Sequence, residues 1–102
     1  ITEGIGQSRI TKNLSGIKFD GAFKIHDKTA LKIIYHLIHE EGLFLGPTSG
    51  INIGGAIKLA KKIGPNKTIV TVLCDGADRY TSKIFNKTFL KTKNLNYEDL
   101  NN

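Results

Sequence analysis

Neither tryptophan nor methionine occurs in this sequence, cysteine occurs once and proline twice. A single cysteine, Cys74, excludes an internal disulfide and any cysteine-rich zinc site, and it fits a reducing compartment. No apolar run approaches the length that crosses a bilayer, and no signal-peptide pattern opens the chain, so no membrane partner is expected. Position 1 is Ile1, not methionine, and the expectation is a piece of a longer protein. Arginine is scarce as well, limited to Arg9 and Arg79.

Lysine is what the chain has in quantity, and the formal net charge is +6. A balance of that sign invites a nucleic-acid partner. The lysines are nevertheless spread over nearly every segment, and only Lys61 and Lys62 are adjacent. A nucleic-acid face clusters its cations or interleaves them with aromatics. A solvated surface is therefore the expectation, with no nucleic acid bound. His36 and His39 share a helix face, but no third ligand accompanies them, so no metal site is expected.

At 102 residues the chain holds one small domain and one modest core. Residues 7–16 read as loop with a brief helical turn, and 22–26 as a short strand. Asp27 is placed as an N-cap before a helix over 28–41. Ala30, Ile33, Ile34, Leu37 and Ile38 form its buried stripe, widened by Leu31 and Tyr35, and Gly42 closes it. Residues 43–45 read as a short buried strand, followed by a helix over about 50–63 that Gly64-Pro65 stops. Gly54 and Gly55 in its first turns cost roughly 1 kcal/mol each relative to alanine, which implies close packing there. Residues 68–74 are almost unbroken in β-branched content, the mark of a strand buried on both faces of a parallel sheet. A short helix is expected over 79–85, and a further turn near Phe89 and Leu90. Strand, helix, strand, loop, helix, strand is an α/β order with an at least partly parallel sheet and flanking helices.

The junction Leu45-Gly46-Pro47-Thr48-Ser49-Gly50 is where that order turns. Two hydroxyls and glycines stand where a strand opens into a helix, a place rich in unpaired N–H groups and favourable to a polar or anionic ligand. Thr48 and Ser49 are both N-cap candidates. Ile1-Thr2-Glu3-Gly4-Ile5-Gly6 is a second glycine-rich loop, suited to close backbone approach. Asp75 ends the last strand, where open α/β sheets gather ligands. Cys74 beside it is expected to be a buried small hydrophobe.

Three segments together, Ile1-Thr2-Glu3-Gly4-Ile5-Gly6-Gln7, Gly46-Pro47-Thr48-Ser49-Gly50-Ile51-Asn52 and Thr68-Ile69-Val70-Thr71-Val72-Leu73-Cys74-Asp75 with Arg79-Tyr80, resemble the C-terminal third of the cysteine synthase (O-acetylserine sulfhydrylase) family. The likeness covers nearly all of residues 1–95, with 96–102 a tail. It implies an incomplete C-terminal portion of a tryptophan-synthase-β-like, fold type II enzyme that uses pyridoxal 5′-phosphate. It further implies a cytoplasmic homodimer that converts O-acetylserine and sulfide into L-cysteine by β-replacement.

By position, the resemblance places the Thr48 hydroxyl on the cofactor's pyridine nitrogen, Gly4 and Gly6 beside the cofactor and the bound amino acid, and Asp75 near the ring. A carboxylate at the ring nitrogen would keep it protonated and make the ring a deep electron sink. A neutral hydroxyl leaves it unprotonated, which favours β-elimination and β-replacement over transamination. Pro47 stands where the family often has glycine, and Thr48 where it often has serine. The Schiff-base lysine, substrate loop and phosphate cup belong upstream of Ile1, and Lys83 is not that lysine. No catalytic residue is therefore expected in this stretch, which alone should be inactive. A cystathionine β-synthase-like enzyme is the alternative within the fold, and a non-enzymatic basic binding or partner-docking module the alternative from another class.

Overall fold

Ala30, Leu31, Ile34 and Tyr35 recur at the spacing of one helix face, and all four are buried in the computed structural model, which describes residues 12–95. They lie on α2, Asp27–His36, which packs against α3, Pro47–Ile63. A short α1, Lys12–Ser15, precedes this pair and buries nothing. A 3₁₀ turn at Asp78–Tyr80 and α4, Lys87–Thr92, follow it.

The stripe on α2 is rotated from its expected centre. Leu31 and Tyr35 are fully buried while Ile33, Leu37 and Ile38 are only half-buried, because Tyr80, Ile84 and Leu90 arrive on the Leu31–Tyr35 side. Tyr35 stacks on Phe85 with ring centroids 5.2 Å apart and planes within 4°, and its hydroxyl donates to the Ile84 carbonyl. Asp27 is the first helical residue and not the N-cap. His26 takes the cap position in an extended conformation, which leaves the Asp27 carboxylate in the first turn, where the helix dipole favours it. The helix does not continue as an α-helix to Glu41. Leu37–Glu41 winds as a π-turn, closed by Gly42 at φ 70°.

Helix α3 begins three residues before the expected start, with Gly46 at the N-cap and Pro47 at the first helical position, where its missing N–H costs nothing. Neither Thr48 nor Ser49 is therefore the cap. Close packing falls on Gly50 and Gly54. A Cβ on Gly50 would lie 2.5 Å from the Ala30 carbonyl oxygen, and one on Gly54 3.0 Å from Ile25 Cγ2, whereas Gly55 has nothing within 4 Å. Backbone of α2 and α3 thus touches at Gly50. The expected helix over 79–85 is instead the Asp78–Tyr80 turn followed by non-helical turns. Asn86 caps α4 by accepting from the Phe89 N–H at 3.0 Å.

No strand forms among the described residues. Among them the one sheet-like pairing is an isolated antiparallel bridge between Leu45 and Gly76. Residues 22–26, 43–45 and 68–74 have strand composition but find no ladder partner here. Val70 is 87% exposed and Val72 66%, so the 68–74 segment is not buried on both faces within this chain. Cys74 is exposed too, which corrects its expected place as a buried hydrophobe. A strand acquires burial only from neighbouring strands and covering layers.

Candidate functional site

The turn at 45–50 is held from the far side by the end of the 68–75 segment. Gly46 N–H donates to the Asp75 carbonyl at 3.1 Å, and Ala77 N–H donates to the Phe44 carbonyl at 3.2 Å. These two bonds flank the Leu45–Gly76 bridge and fix the entry to α3 against residues 75–77.

The two hydroxyls of the turn have different fates. Ser49 is fully buried, and its Oγ accepts a hydrogen bond from the Cys74 N–H at 3.1 Å. One turn on, Asn52 Nδ2 donates to the Val72 carbonyl at 2.8 Å. Side chains of α3 thus take the place of a neighbouring strand along one side of residues 72–74. Thr48, by contrast, is half-buried, and its hydroxyl makes no hydrogen bond to the described residues. It sits in the first turn of a 17-residue helix, where the N–H groups and the dipole carry positive potential. Of the two hydroxyls, Ser49 is buried and bonded within the chain, and Thr48 is half-buried with no bond to the described residues.

Asp75 lies directly behind the same turn. Tyr80 Oη donates to its Oδ2 at 2.8 Å, while Oδ1 is buried with no hydrogen-bond partner. A Cβ at position 46 would collide with Asp75 Oδ1 and lie 2.9 Å from Tyr80 Cε2 and 3.2 Å from the Gly76 carbonyl oxygen. Gly46 is therefore glycine because a carboxylate and an aromatic edge occupy the space a side chain would need. Thr48 and Asp75 are brought to one turn. Gly4 and Gly6 lie outside the described residues.

Tyr80, Ser49 and Gly46 were not separated from their neighbours by sequence pattern. A signal existed for Gly46: proline three residues before Gly50 marks a first helical position, which puts the cap one residue earlier. Nothing comparable distinguished Ser49 from Thr48, since the difference depends on where Cys74 lies.

No group of His, Cys, Asp and Glu that could hold a metal occurs among the described residues. His36 and His39 are exposed, and His39 sets its ring edge-on to Tyr35 at 6.3 Å. No described helix is long and apolar enough to cross a membrane. A groove of about 490 Å³ runs along α3 away from the turn, lined among others by Phe23, Leu59, Ile63 and Val70.

No protein-family model matches the chain. It is similar to a cysteine synthase of Dictyostelium discoideum, 43% identical over 100 residues, which is 98% of this chain and 26% of the relative. Cysteine synthase 1 of Emericella nidulans is 45% identical over 97 residues, 93% of this chain and 26% of that protein. An O-acetylserine dependent cystathionine beta-synthase of Bacillus subtilis is 37% identical over 82 residues, 80% of this chain and 27% of that protein. The chain spans about a quarter of the length of the curated relatives it matches. With the hydroxyl turn, the Asp75 segment and the intervening helix all inside the matched residues, the chain belongs to the cysteine synthase family.

Proposed function

We propose that the chain is the C-terminal part of a pyridoxal 5′-phosphate-dependent cysteine synthase, in which Thr48 hydrogen-bonds the cofactor's pyridine nitrogen. The observation that carries this reading is the unequal placement of two adjacent hydroxyls: Ser49 is fully buried and accepts from the Cys74 N–H, whereas Thr48 is half-buried and uncommitted at the head of α3.

The residues fit such a ring. Thr48 is uncommitted at the head of α3, and behind it, in the space that Gly46 leaves, the buried, unpartnered Asp75 Oδ1 is an acceptor whose desolvation a donor would offset. When bound, the cofactor supplies an electron sink for the substrate's α-carbanion, so that a β-substituent departs and a nucleophile replaces it. Thr48 would donate a hydrogen bond from its hydroxyl to the unprotonated ring nitrogen, keeping its proton. The positive end of α3 works with it, because that potential disfavours a proton on the nitrogen. Asp75, with Oδ2 held by Tyr80, stands behind the turn and not at the head of the helix. Gly4 and Gly6 complete the proposal as the loop beside the cofactor and the bound amino acid.

The Schiff-base lysine, the phosphate cup and the partners of the 68–74 segment come from the rest of the enzyme. That segment then becomes a strand of the partly parallel sheet of a tryptophan-synthase-β-like domain. Its exposed valines and the apolar groove beside Phe23 and Val70 are the surfaces such a sheet would cover. The enzyme is proposed to act in the cytoplasm as a homodimer, forming L-cysteine from O-acetylserine and sulfide.

The Bacillus subtilis relative's name favours a second reading, a β-replacing enzyme that joins an activated serine to homocysteine. The test is turnover by the full-length enzyme of O-acetylserine with sulfide, against O-acetylserine or serine with homocysteine. Cysteine formation as the preferred reaction is expected. Preferred cystathionine formation would replace the first reading with the second.

A further inference from the structure

Tyr80 belongs to two parts of the molecule at once. Its ring is buried in the core with Leu31, Ile34, Tyr35, Ile84 and Leu90, and is 4% exposed. Its hydroxyl leaves that core and donates to Asp75 Oδ2 at 2.8 Å. Its Cε2 edge also backs the Cα of Gly46, where a Cβ would come within 2.9 Å of it. Asp75 occupies the same space from the other side, with Oδ1 against Gly46 and no partner of its own.

We propose that Tyr80 is a positioning residue for the ligand-binding turn: its hydroxyl grips Asp75 and its ring edge backs Gly46, and together they fix the backbone from which Thr48 presents its hydroxyl. The inference rests on the reading of Thr48 as the ring-nitrogen contact. Gly46 is two residues before Thr48 and carries no side chain to anchor itself. Its position is set by the groups packed on its Cα and by its N–H bond to the Asp75 carbonyl. Releasing the Asp75 side chain from Tyr80 frees a carboxylate to rotate against that Cα. A small displacement of the N-cap is passed to Thr48 through the rigid first turn of α3. Displacements of that order alter orientation-dependent contacts strongly.

The test uses the full-length holoenzyme. Tyr80→Phe keeps the ring in the core and removes only the hydroxyl. The visible absorption band of the bound cofactor and its dissociation constant are read for Thr48→Ala, Tyr80→Phe and the double variant. Tyr80→Phe is expected to move the band in the same direction as Thr48→Ala and to weaken cofactor binding by about fivefold. The double variant should go no further than Thr48→Ala, because both changes act through one contact. The kcat of Tyr80→Phe should fall about tenfold with KM for O-acetylserine within about twofold of wild type. Should Tyr80→Phe yield no folded holoenzyme, Asp75→Ala breaks the same hydrogen bond from its other end and is read in the same way. A band that moves in Thr48→Ala but not in Tyr80→Phe overturns the positioning role alone, as does additivity in the double variant. A band unmoved by Thr48→Ala overturns the ring-nitrogen reading, and the Tyr80 role with it.

Discussion

Ser49 and Cys74 are joined across 25 positions of chain by a hydrogen bond of 3.1 Å from the Cys74 N–H to the Ser49 Oγ. The bond ties the first turn of α3 to the segment that ends at Asp75, and it holds the fully buried Ser49 side chain inside the chain. Removing a buried acceptor leaves its donor unpaired, at a cost of about 1–3 kcal/mol. Ser49→Ala is therefore expected to lower the melting temperature of the full-length enzyme by several degrees. The bound cofactor's absorption spectrum should stay where it was. A spectral change as large as that of Thr48→Ala would reverse the division of labour between the two hydroxyls.

Thr48 should behave the opposite way. Thr48→Ala removes a hydroxyl with no bond to the described residues, so stability should change by less than about 0.5 kcal/mol. Thr48→Asp puts a carboxylate in the first turn of α3, which the helix dipole tolerates or favours. Both variants are expected to fold. Cofactor affinity and absorption should change in each, and in Thr48→Asp the carboxylate should hold the ring nitrogen protonated and slow β-replacement. Absorption titration of the apoenzyme with pyridoxal phosphate checks this, and wild-type spectra and turnover in both variants would sink the assignment.

Much of the helical framework can be read from the chain. Which residues centre the buried face of α2 depends on Tyr80, Ile84 and Leu90, but that the helix has one such face needs no knowledge of distant residues. The same holds for Gly42 and Gly64 as stops. What could not be read depends on contacts between remote segments. Ser49 and Thr48 are chemically alike and adjacent, and only the arrival of Cys74 25 residues later separates them. The bond from Tyr80 to Asp75 follows from a turn too short for periodicity to show. Residues 68–74 have a strand's composition, but a strand's hydrogen bonds belong to its neighbours as well.

Gly50 is the point of closest approach between the helices. An alanine Cβ there would meet the Ala30 carbonyl oxygen, which is backbone in the middle of α2 and cannot swing aside. Gly50→Ala is expected to destabilise the full-length enzyme by about 1–3 kcal/mol, the usual cost of overpacking. In the 102-residue chain, Gly55→Ala adds a Cβ into open space and should stabilise α3 by up to about 1 kcal/mol through helix propensity. Thermal denaturation separates the two, and an equal response would deny that α2 and α3 meet at Gly50.

Catalysis by the 102-residue chain alone is not expected, since the proposed site takes its Schiff-base lysine from elsewhere. Incubation with pyridoxal phosphate, O-acetylserine and sulfide should give no cysteine above a protein-free control. Cysteine formed at a rate that scales with chain concentration would mean that a lysine within these residues can serve.

Val70, at 87% exposure, offers the sharpest test of where the sheet continues. Its neighbours Ile69, Thr71 and Val72 have high strand propensity, yet nothing among the described residues pairs with it. A segment of this composition with an open edge is prone to associate with another copy. If the rest of the enzyme supplies the missing strands, Val70 becomes buried and contributes about 1.5–3 kcal/mol by leaving water. Val70→Lys is then expected to have opposite effects in the two contexts. In the full-length enzyme it should lower stability by at least about 2 kcal/mol, because a lysine replaces a buried valine. In the 102-residue chain it should leave the helical circular dichroism unchanged and reduce aggregation, because a charge now guards an open edge. Equal stability of wild-type and Val70→Lys full-length enzyme would show that no sheet closes over this segment.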